Sequence, residues 1–372
     1  MTEPGAVPSP QARSRAQSRA RPQTLPWWHP TVFADRRPLL AVRARVTAAV
    51  RAFLLERGAL EVETPALQVS PGLEPHLKAF RTAWTPPDDR PPVPLSLHTS
   101  PEFAMKKLLA AGLPAVFQMA RVFRDGERSA THHPEFTMLE WYRAEASYTD
   151  LMDETEALVA ACQTAAGGEP LRWNGGAADA RLPWRLLSVA EAMAEHAGVD
   201  LLACLPAEPA RDPDPAPLAA EARRLGVTVG PADRFDDVFF RIFLAHVEPR
   251  LGFGVPTILY DYPLCMAALS RQKVADPRLA ERFEVYVCGL ELANAFSELT
   301  DAVEQRARFE ADMDLKERLY GERYPIDEDF LDALAHGLPD CAGIALGLDR
   351  LVMLCAGARR IEDVLWAPVA TE

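Results

Sequence analysis

Residues 122–143 read VFRDGERSATHHPEFTMLEWYR. Arg124, Asp125, Glu127, Arg128, His132 and His133 crowd into one loop there, too many charges for a tight hairpin. Connections of about ten residues inside compact domains are often functional. Arginine offers a planar fork of donors that matches phosphate oxygens, so this loop suits a polyphosphate. A second set lies at 282–298, RFEVYVCGLELANAFSE, where Glu291 and Glu298 stand seven apart. Seven is odd, so on a flat strand the two carboxylates point to opposite faces. For both to meet one ligand the chain must bulge or turn between them, and Asn294 tolerates the left-handed conformation this needs. Carboxylates there suit Mg²⁺, which shares oxygen ligands with substrate phosphates. Two further candidates are Glu102, in the run TSPE, and Arg350, in the run GLDR. The chain shows no nucleophile motif, which fits chemistry done by positioning and charge stabilisation.

The elements that must hold these groups follow from periodicity. Residues 115–123 alternate, with Phe117, Met119, Arg121 and Phe123 on one side. After the charged loop, Phe136, Met138, Glu140 and Tyr142 share one face of a second strand, and Thr137, Leu139 and Trp141 the other. Val42, Val46, Val50, Phe53 and Leu54 make a helical stripe from Leu40, stopped by Gly58. A short strand, 59–64, ends at Pro65. Ser100 as N-cap and Pro101 at the first helical position predict a helix that puts Glu102 in its first turn and stops at Gly112. Helices are also expected at 149–165 and 235–247, with a strand at 257–263. Gly343 to Gly347 reads as a strand open enough at its glycines for a flat ring, and the helix from Asp349 puts Arg350 at its start.

Composition narrows the function classes. The 372 residues carry 53 acidic against 40 basic side chains, a formal charge of −13. Nucleic-acid binders usually present a basic face, so the balance argues against nucleic acid as the main partner. No apolar run is long enough to cross a membrane, and no signal peptide is visible. The six cysteines are scattered without any CxxC, as expected of reduced thiols in a cytoplasmic protein. Residues 1–35, rich in Pro, Ala, Ser, Gln and Arg, read as a disordered tail. The folded domain is then 36–372, with an Ala-, Pro- and Asp-rich insertion at about 170–235.

The stretch 122–143 resembles motif 2 of the class II aminoacyl-tRNA synthetases, in particular the lysine branch. Residues 343–353, GIALGLDRLVM, resemble motif 3, and the helix, strand and Pro65 near the start resemble motif 1. The resemblance implies an α/β (α+β) catalytic fold, an antiparallel sheet flanked by helices, and a homodimer formed through motif 1. It implies activation of an amino acid by ATP with Mg²⁺. Residue by residue, Arg124 would hold the α-phosphate and the substrate carboxylate, with Asp125 and Gly126 beside it. Phe136 would stack on adenine, and His132 or His133 would touch the outer phosphates or the adenine edge. Glu291 and Leu292 would border the nucleotide, Glu291 binding Mg²⁺. Glu298 would share that metal or meet the substrate's side-chain ammonium, Tyr142 would hydrogen-bond that ammonium, and Asn294 would belong to the same substrate-binding set. Ser100, Pro101 and Glu102 would floor the amino-acid pocket, Glu102 facing the ammonium group. Gly347 would make room for the nucleotide and Arg350 would bind the γ-phosphate. The chain departs from the family pattern at Gly126, Ala130, Thr131, His133 and Ala295.

Lysyl-tRNA synthetases carry an OB-fold domain that reads the anticodon, and no five-stranded barrel fits ahead of motif 1 here. The chain therefore resembles the stand-alone elongation factor P lysine ligases, over about residues 36–370 apart from the insertion. That family activates lysine, preferably (R)-β-lysine, and transfers it to a lysine of elongation factor P; tRNA is not the expected acceptor. Ala345 stands where the tRNA enzymes usually have Gly, and its methyl is a candidate for fitting a β-amino acid. A truncated lysine–tRNA ligase and a non-catalytic paralogue that binds ATP or lysine are the alternatives.

Overall fold

The computed structural model describes residues 25–369. The tail expectation therefore falls mostly outside the described residues, but its boundary needs correcting. Helix α1 runs Pro30–Glu56, not from Leu40. Pro30 is pre-set for a first helical position, and His29 caps the end by accepting from the Thr31 amide. Leu40, Val46, Val50, Phe53 and Leu54 form its buried stripe, and Gly58 (φ +78°) turns the chain out of it.

Strands β1 (Leu60–Glu61), β2 (Leu67–Gln68), β3 (Arg81–Trp84) and β4 (Val93–Leu97) follow, the last three forming a small sheet of their own. The strand expected over 59–64 shrinks to the two residues of β1. Helix α2 (Glu102–Ala110) comes next, then β5 (Ala115–Phe123), β6 (Glu135–Ala144) and α3 (Tyr148–Ala166). A hairpin of β7 (Leu171–Trp173) and β8 (Gly176–Ala178) leads to β9 (Arg185–Ser188). Four helices follow: α4 (Val189–Ala197), α5 (Leu201–Cys204), α6 (Ala216–Arg224) and α7 (Phe235–Ile242), the last continued by a π turn, Phe243–Val247. Strands β10 (Thr257–Pro263), β11 (Leu279–Val287) and β12 (Leu290–Ser297) precede α8 (Ala302–Tyr320) and α9 (Glu328–Gly337). β13 (Cys341–Gly347), α10 (Leu348–Ala356) and α11 (Ile361–Val364) end the described chain.

The main sheet has eight strands in the order β1-β5-β6-β13-β12-β11-β10-β9. All pairings are antiparallel except the two outermost, β1 with β5 and β9 with β10. Because β9 completes this sheet, residues 170–235 are not wholly an insertion outside it. The helical unit that follows β9 also runs past 235, to the turn at Glu248–Arg250.

One face of the sheet is sealed by α1, α3 and α10, which pack on Phe117, Leu139, Trp141, Phe283, Val285, Ile344 and Leu346. The opposite face is covered only at its ends. Helices α4 to α7 pack on Leu259, Tyr262, Leu279 and Tyr286 at one end, while α2, α8 and α9 pack near Val116, Tyr142 and Cys341 at the other. Between these two covers the sheet is open. The alternation along β6 explains why: Leu139 and Trp141 enter the sealed core, and Phe136, Met138 and Tyr142 face the gap.

Candidate active site

The gap is a cavity of about 540 Å³. Of the residues expected to form a site, Ser100, Glu102, Arg124, His132, His133, Phe136, Tyr142, Glu291, Leu292, Asn294, Ala345, Gly347 and Arg350 line it. Four do not. Asp125 turns outward to pair with Lys78 at 2.9 Å, and Gly126 follows it in the loop. Pro101 is the N-cap of α2, one position before the helix rather than its first residue; Ser100 still serves the helix end, its Oγ accepting from the Glu102 amide at 3.0 Å. Glu298 lies beneath the cavity, fully buried.

The arginine end is built by buried positioning bonds. Asp349 Oδ2 accepts from the Thr137 amide at 2.7 Å, while its other oxygen pairs with Arg43 of α1. Arg43 also donates to Thr137 Oγ1 and to the Val364 carbonyl, both at 3.1 Å. One buried carboxylate thus ties α1, β6 and α10 together and sets the direction of Arg350. Arg350 donates to the Glu291 carbonyl and to His132 Nε2, each at 2.8 Å. Burial, reinforced by the Arg350 charge, lowers the His132 pKa, which leaves Nε2 free to accept from Arg350. Nδ1, 2.8 Å from Ser129 Oγ, then carries the proton. Arg124 is less committed: its Nε is buried with no hydrogen-bond partner among the described residues, and its guanidinium lies 5.2 Å from the Phe136 ring centre. His133 is an internal clamp instead, bonded to the Glu135 carbonyl at 2.5 Å and accepting from the Val369 amide at 3.2 Å.

The carboxylates at 291 and 298 do share a face of β12, and the expected bulge provides it. Tyr286 pairs with Glu291 and Val285 with Ala293, so Leu292 is the extra residue. The left-handed residues are Cys288 and Gly289 at the hairpin turn; Asn294 is an ordinary strand residue and needs no such conformation. Sharing a face does not bring the two acids together. With one residue bulged out, about six strand steps of ~3.3 Å separate them, too far for a common ion. The acid whose charge Glu291 feels is Glu284: it pairs with Asn294 while Tyr286 pairs with Glu291, so it stands diagonally across the β11–β12 hairpin on the same face. Glu284 accepts from Tyr262, Tyr286 and Arg282, and its charge, after burial, helps hold the Glu291 carboxyl up at about 7. Sequence reasoning missed Glu284, although Cys288-Gly289 marks a turn that leaves residues 284 and 291 near one another.

At the far end Glu102, Glu140 and Glu298 surround one ammonium. Lys106 bridges Glu102 and Glu298, at 2.5 Å from each. These two carboxylates hold it charged against its burial. Glu140 accepts from Ser100 Oγ at 2.6 Å and from the Tyr142 hydroxyl at 2.8 Å, so Tyr142 is engaged by a carboxylate already. Three acids face one lysine. Burial, and after it the Glu102 charge, pushes the Glu140 carboxyl up to about 8. Glu298 is also driven up, by burial, with Lys106 opposing. Gly343 lets this packing exist: a Cβ there would sit 2.2 Å from the Tyr142 ring and 2.4 Å from Glu298 Oε1. Lys106, Glu140 and Gly343 were legible only in part, since Glu140 shares the face of Phe136 and Tyr142 but had no assigned role.

Residues 31–371 match the family of class II tRNA synthetases (D, K and N). The chain belongs to that family. It is 39% identical over 332 residues to the elongation factor P–(R)-β-lysine ligase of Yersinia enterocolitica, covering 89% of this chain and 94% of the relative. It is 40% identical over 343 residues to proteins of the same name from Salmonella dublin and Salmonella typhi, covering 91% of this chain and 96% of each. Membership accounts for the sheet, antiparallel through its six central strands with helices on both faces. The synthetase motifs map onto its parts: motif 2 is β5, the charged loop and β6, and motif 3 is β13 with α10. The described cysteines are all free, and no described helix is long and apolar enough to cross a membrane.

Proposed function

We propose that this protein activates lysine, in the (R)-β form named for its relatives, as an aminoacyl-adenylate, and transfers it to a lysine of elongation factor P. The observation that carries the reading is the charge layout of one cavity. Arg124, His132 and Arg350 stand at one end, and a floor with more carboxylates than ammonium groups lies at the other. A substrate with a carboxylate at one end and amino groups toward the other fits only one way round.

In this reading Arg124 holds the α-phosphate and the substrate carboxylate with a fork engaged by protein only through a loose ion pair to Glu127, at 3.9 Å. Its role is to place the attacking oxygen in line and to stabilise charge at phosphorus. Arg350, braced by His132 and the Glu291 carbonyl, takes the outer phosphates, and the cavity wall at Phe136 and Leu292 takes the base. Glu291, with Glu284 behind it, fits Mg²⁺, an ion that needs only one or two protein carboxylates when phosphates complete its shell. When bound, the ion supplies neutralisation of phosphate charge. Glu102 and Tyr142 receive the substrate ammonium over Glu140 and Glu298. Ala345, in the cavity wall beside Met138, is placed to select between α- and β-lysine. Leu55 in the last turn of α1 and Leu60, Leu67 and Val69 in the segment after it are exposed, and suit contact with a second copy. A cytoplasmic homodimer acting on a protein rather than on tRNA agrees with the net charge of −13.

The test is ATP–pyrophosphate exchange with α-lysine and (R)-β-lysine in turn, followed by transfer assays with elongation factor P and with bulk tRNA. Lysine-stimulated exchange with label moving only to the protein is expected. Label on tRNA would replace the acceptor, and no exchange with either isomer would remove the activity.

A further inference from the structure

Lysine activation leaves one group in the cavity without a task. Glu74 lies in the loop between β2 and β3 and lines the cavity wall near Glu102 and Arg124. Its Oε2 is buried with no hydrogen-bond partner among the described residues. The neighbouring Thr99 hydroxyl cannot supply one, because it donates to the Pro71 carbonyl at 2.9 Å. The chain nevertheless holds Glu74 firmly. Gly72, at φ +132°, leaves the space it needs: a Cβ there would lie 2.9 Å from Glu74 Oε2 and 2.5 Å from Thr99 Oγ1. The buried Lys316 of α8 donates to the carbonyls of Pro75 and Leu77 at 3.0 and 2.6 Å, strapping the loop down. Asp312, one turn earlier on α8, lines the same wall.

The acceptor chemistry needs such a group. A lysine side chain arrives as an ammonium ion and attacks only as a free amine. On forming the amide it loses two protons: one before nitrogen bonds to the carbonyl carbon, one as the carbon–oxygen bond to phosphate breaks and AMP leaves with the electron pair. We propose that Glu74 is the catalytic base of the transfer step, binding the acceptor ammonium beside Arg124 and taking its first proton, with Asp312 adding negative charge at the entry. The second proton passes to water. This assignment rests on the protein-lysine acceptor proposed above.

The surroundings agree. The charged groups facing Glu74 are Glu102 from α2, Arg124 from the end of β5, and Lys316 and Asp312 from α8, while Arg211 and Arg234 of the helical unit face Asp312. Burial above all, then the Glu102 charge, raises the Glu74 pKa, and burial holds Asp312 up at about 6. A carboxylate so raised is a better proton acceptor than an exposed one.

The experiment compares wild type with Glu74→Gln in three assays: lysine-dependent ATP–pyrophosphate exchange, capture of the adenylate by hydroxylamine, and transfer to elongation factor P. Hydroxylamine is uncharged near neutral pH and needs no base to become a nucleophile. Exchange and hydroxylamine capture should be unchanged, while transfer to the protein falls by about 100-fold, within the range a positioned base provides. Transfer at the wild-type rate would overturn the assignment. So would a parallel loss of exchange or hydroxylamine capture, which would place Glu74 in activation or in folding. Gly72→Ala, which displaces the carboxylate without removing it, should repeat the selective loss. Wild-type enzyme that performs exchange but never labels elongation factor P would instead refute the acceptor on which this role depends.

Discussion

The floor of the cavity makes a quantitative claim about stability. Glu140 is fully buried, and its carboxyl is held up to about 8 from an ordinary 4.5. An acid whose folded pKa is raised contributes stability below its unfolded pKa and loses it as pH rises toward the folded one. Between about pH 5 and 7.5 the unfolded chain has released this proton and the folded chain has kept it. Stability should therefore fall by about 1.4 kcal/mol per pH unit on account of this one group. Glu140→Gln removes the titration while keeping an acceptor for a hydroxyl. In urea unfolding at pH 5.5, 6.5 and 7.5 without lysine, the variant's stability should decline less steeply by that amount per unit. The variant should gain on wild type by a few kcal/mol across the window, less about 1 kcal/mol for imperfect hydrogen bonds to Ser100 and Tyr142. Lysine should reverse the order, because its ammonium satisfies the surplus carboxylate; wild type should release protons on binding it at pH 7, and the variant fewer. Equal slopes in the two proteins would show that Glu140 is already ionised, and the account of the floor as a site short of one cation would be wrong.

Other perturbations follow from the same geometry. Gly343→Ala should lose lysine-dependent exchange and about 1–3 kcal/mol or more of stability, since its methyl would overlap Tyr142 and Glu298; a variant with wild-type KM for lysine would refute the packing argument. Asp349→Asn should cost about 3–5 kcal/mol by stranding the buried Arg43 guanidinium, measured by urea unfolding, and should weaken ATP binding because Arg350 loses its fixed direction. Because burial, and after it the Glu284 charge, pushes the Glu291 carboxyl up to about 7 and Mg²⁺ takes the ionised form, the Mg²⁺ concentration for half-maximal exchange should rise by about tenfold per pH unit below 7. Glu291→Gln should abolish that pH dependence, and Glu284→Gln should weaken Mg²⁺ use, whereas Glu298→Gln should raise KM for lysine instead.

The motif strands, the helices from Glu102 and Asp349, and the arginine end were legible because local patterning decides them. Alternation set the faces of β5 and β6, Gly357 stopped α10, and an arginine-rich loop between strands needs no further information to suggest phosphate. The odd spacing of Glu291 and Glu298 called for a bulge or turn if they were to share a face, and the bulge at Leu292 supplies it, although the shared ion that motivated the expectation does not follow. What spacing does not contain is which acids become neighbours. The β11–β12 hairpin put Glu284, not Glu298, diagonally across from Glu291, and a distant loop brought Glu74 into the same cavity wall as Arg124. The start of α1 at Pro30 escaped because composition, rather than a hydrophobic stripe, governed the reading there. Above all, the sequence determined that carboxylates and one lysine would exist at 102, 106, 140 and 298. Only the tertiary structure decided that they would be packed together and buried, three acids around one ammonium, because α2, β6 and the end of β12 converge there from distant parts of the chain.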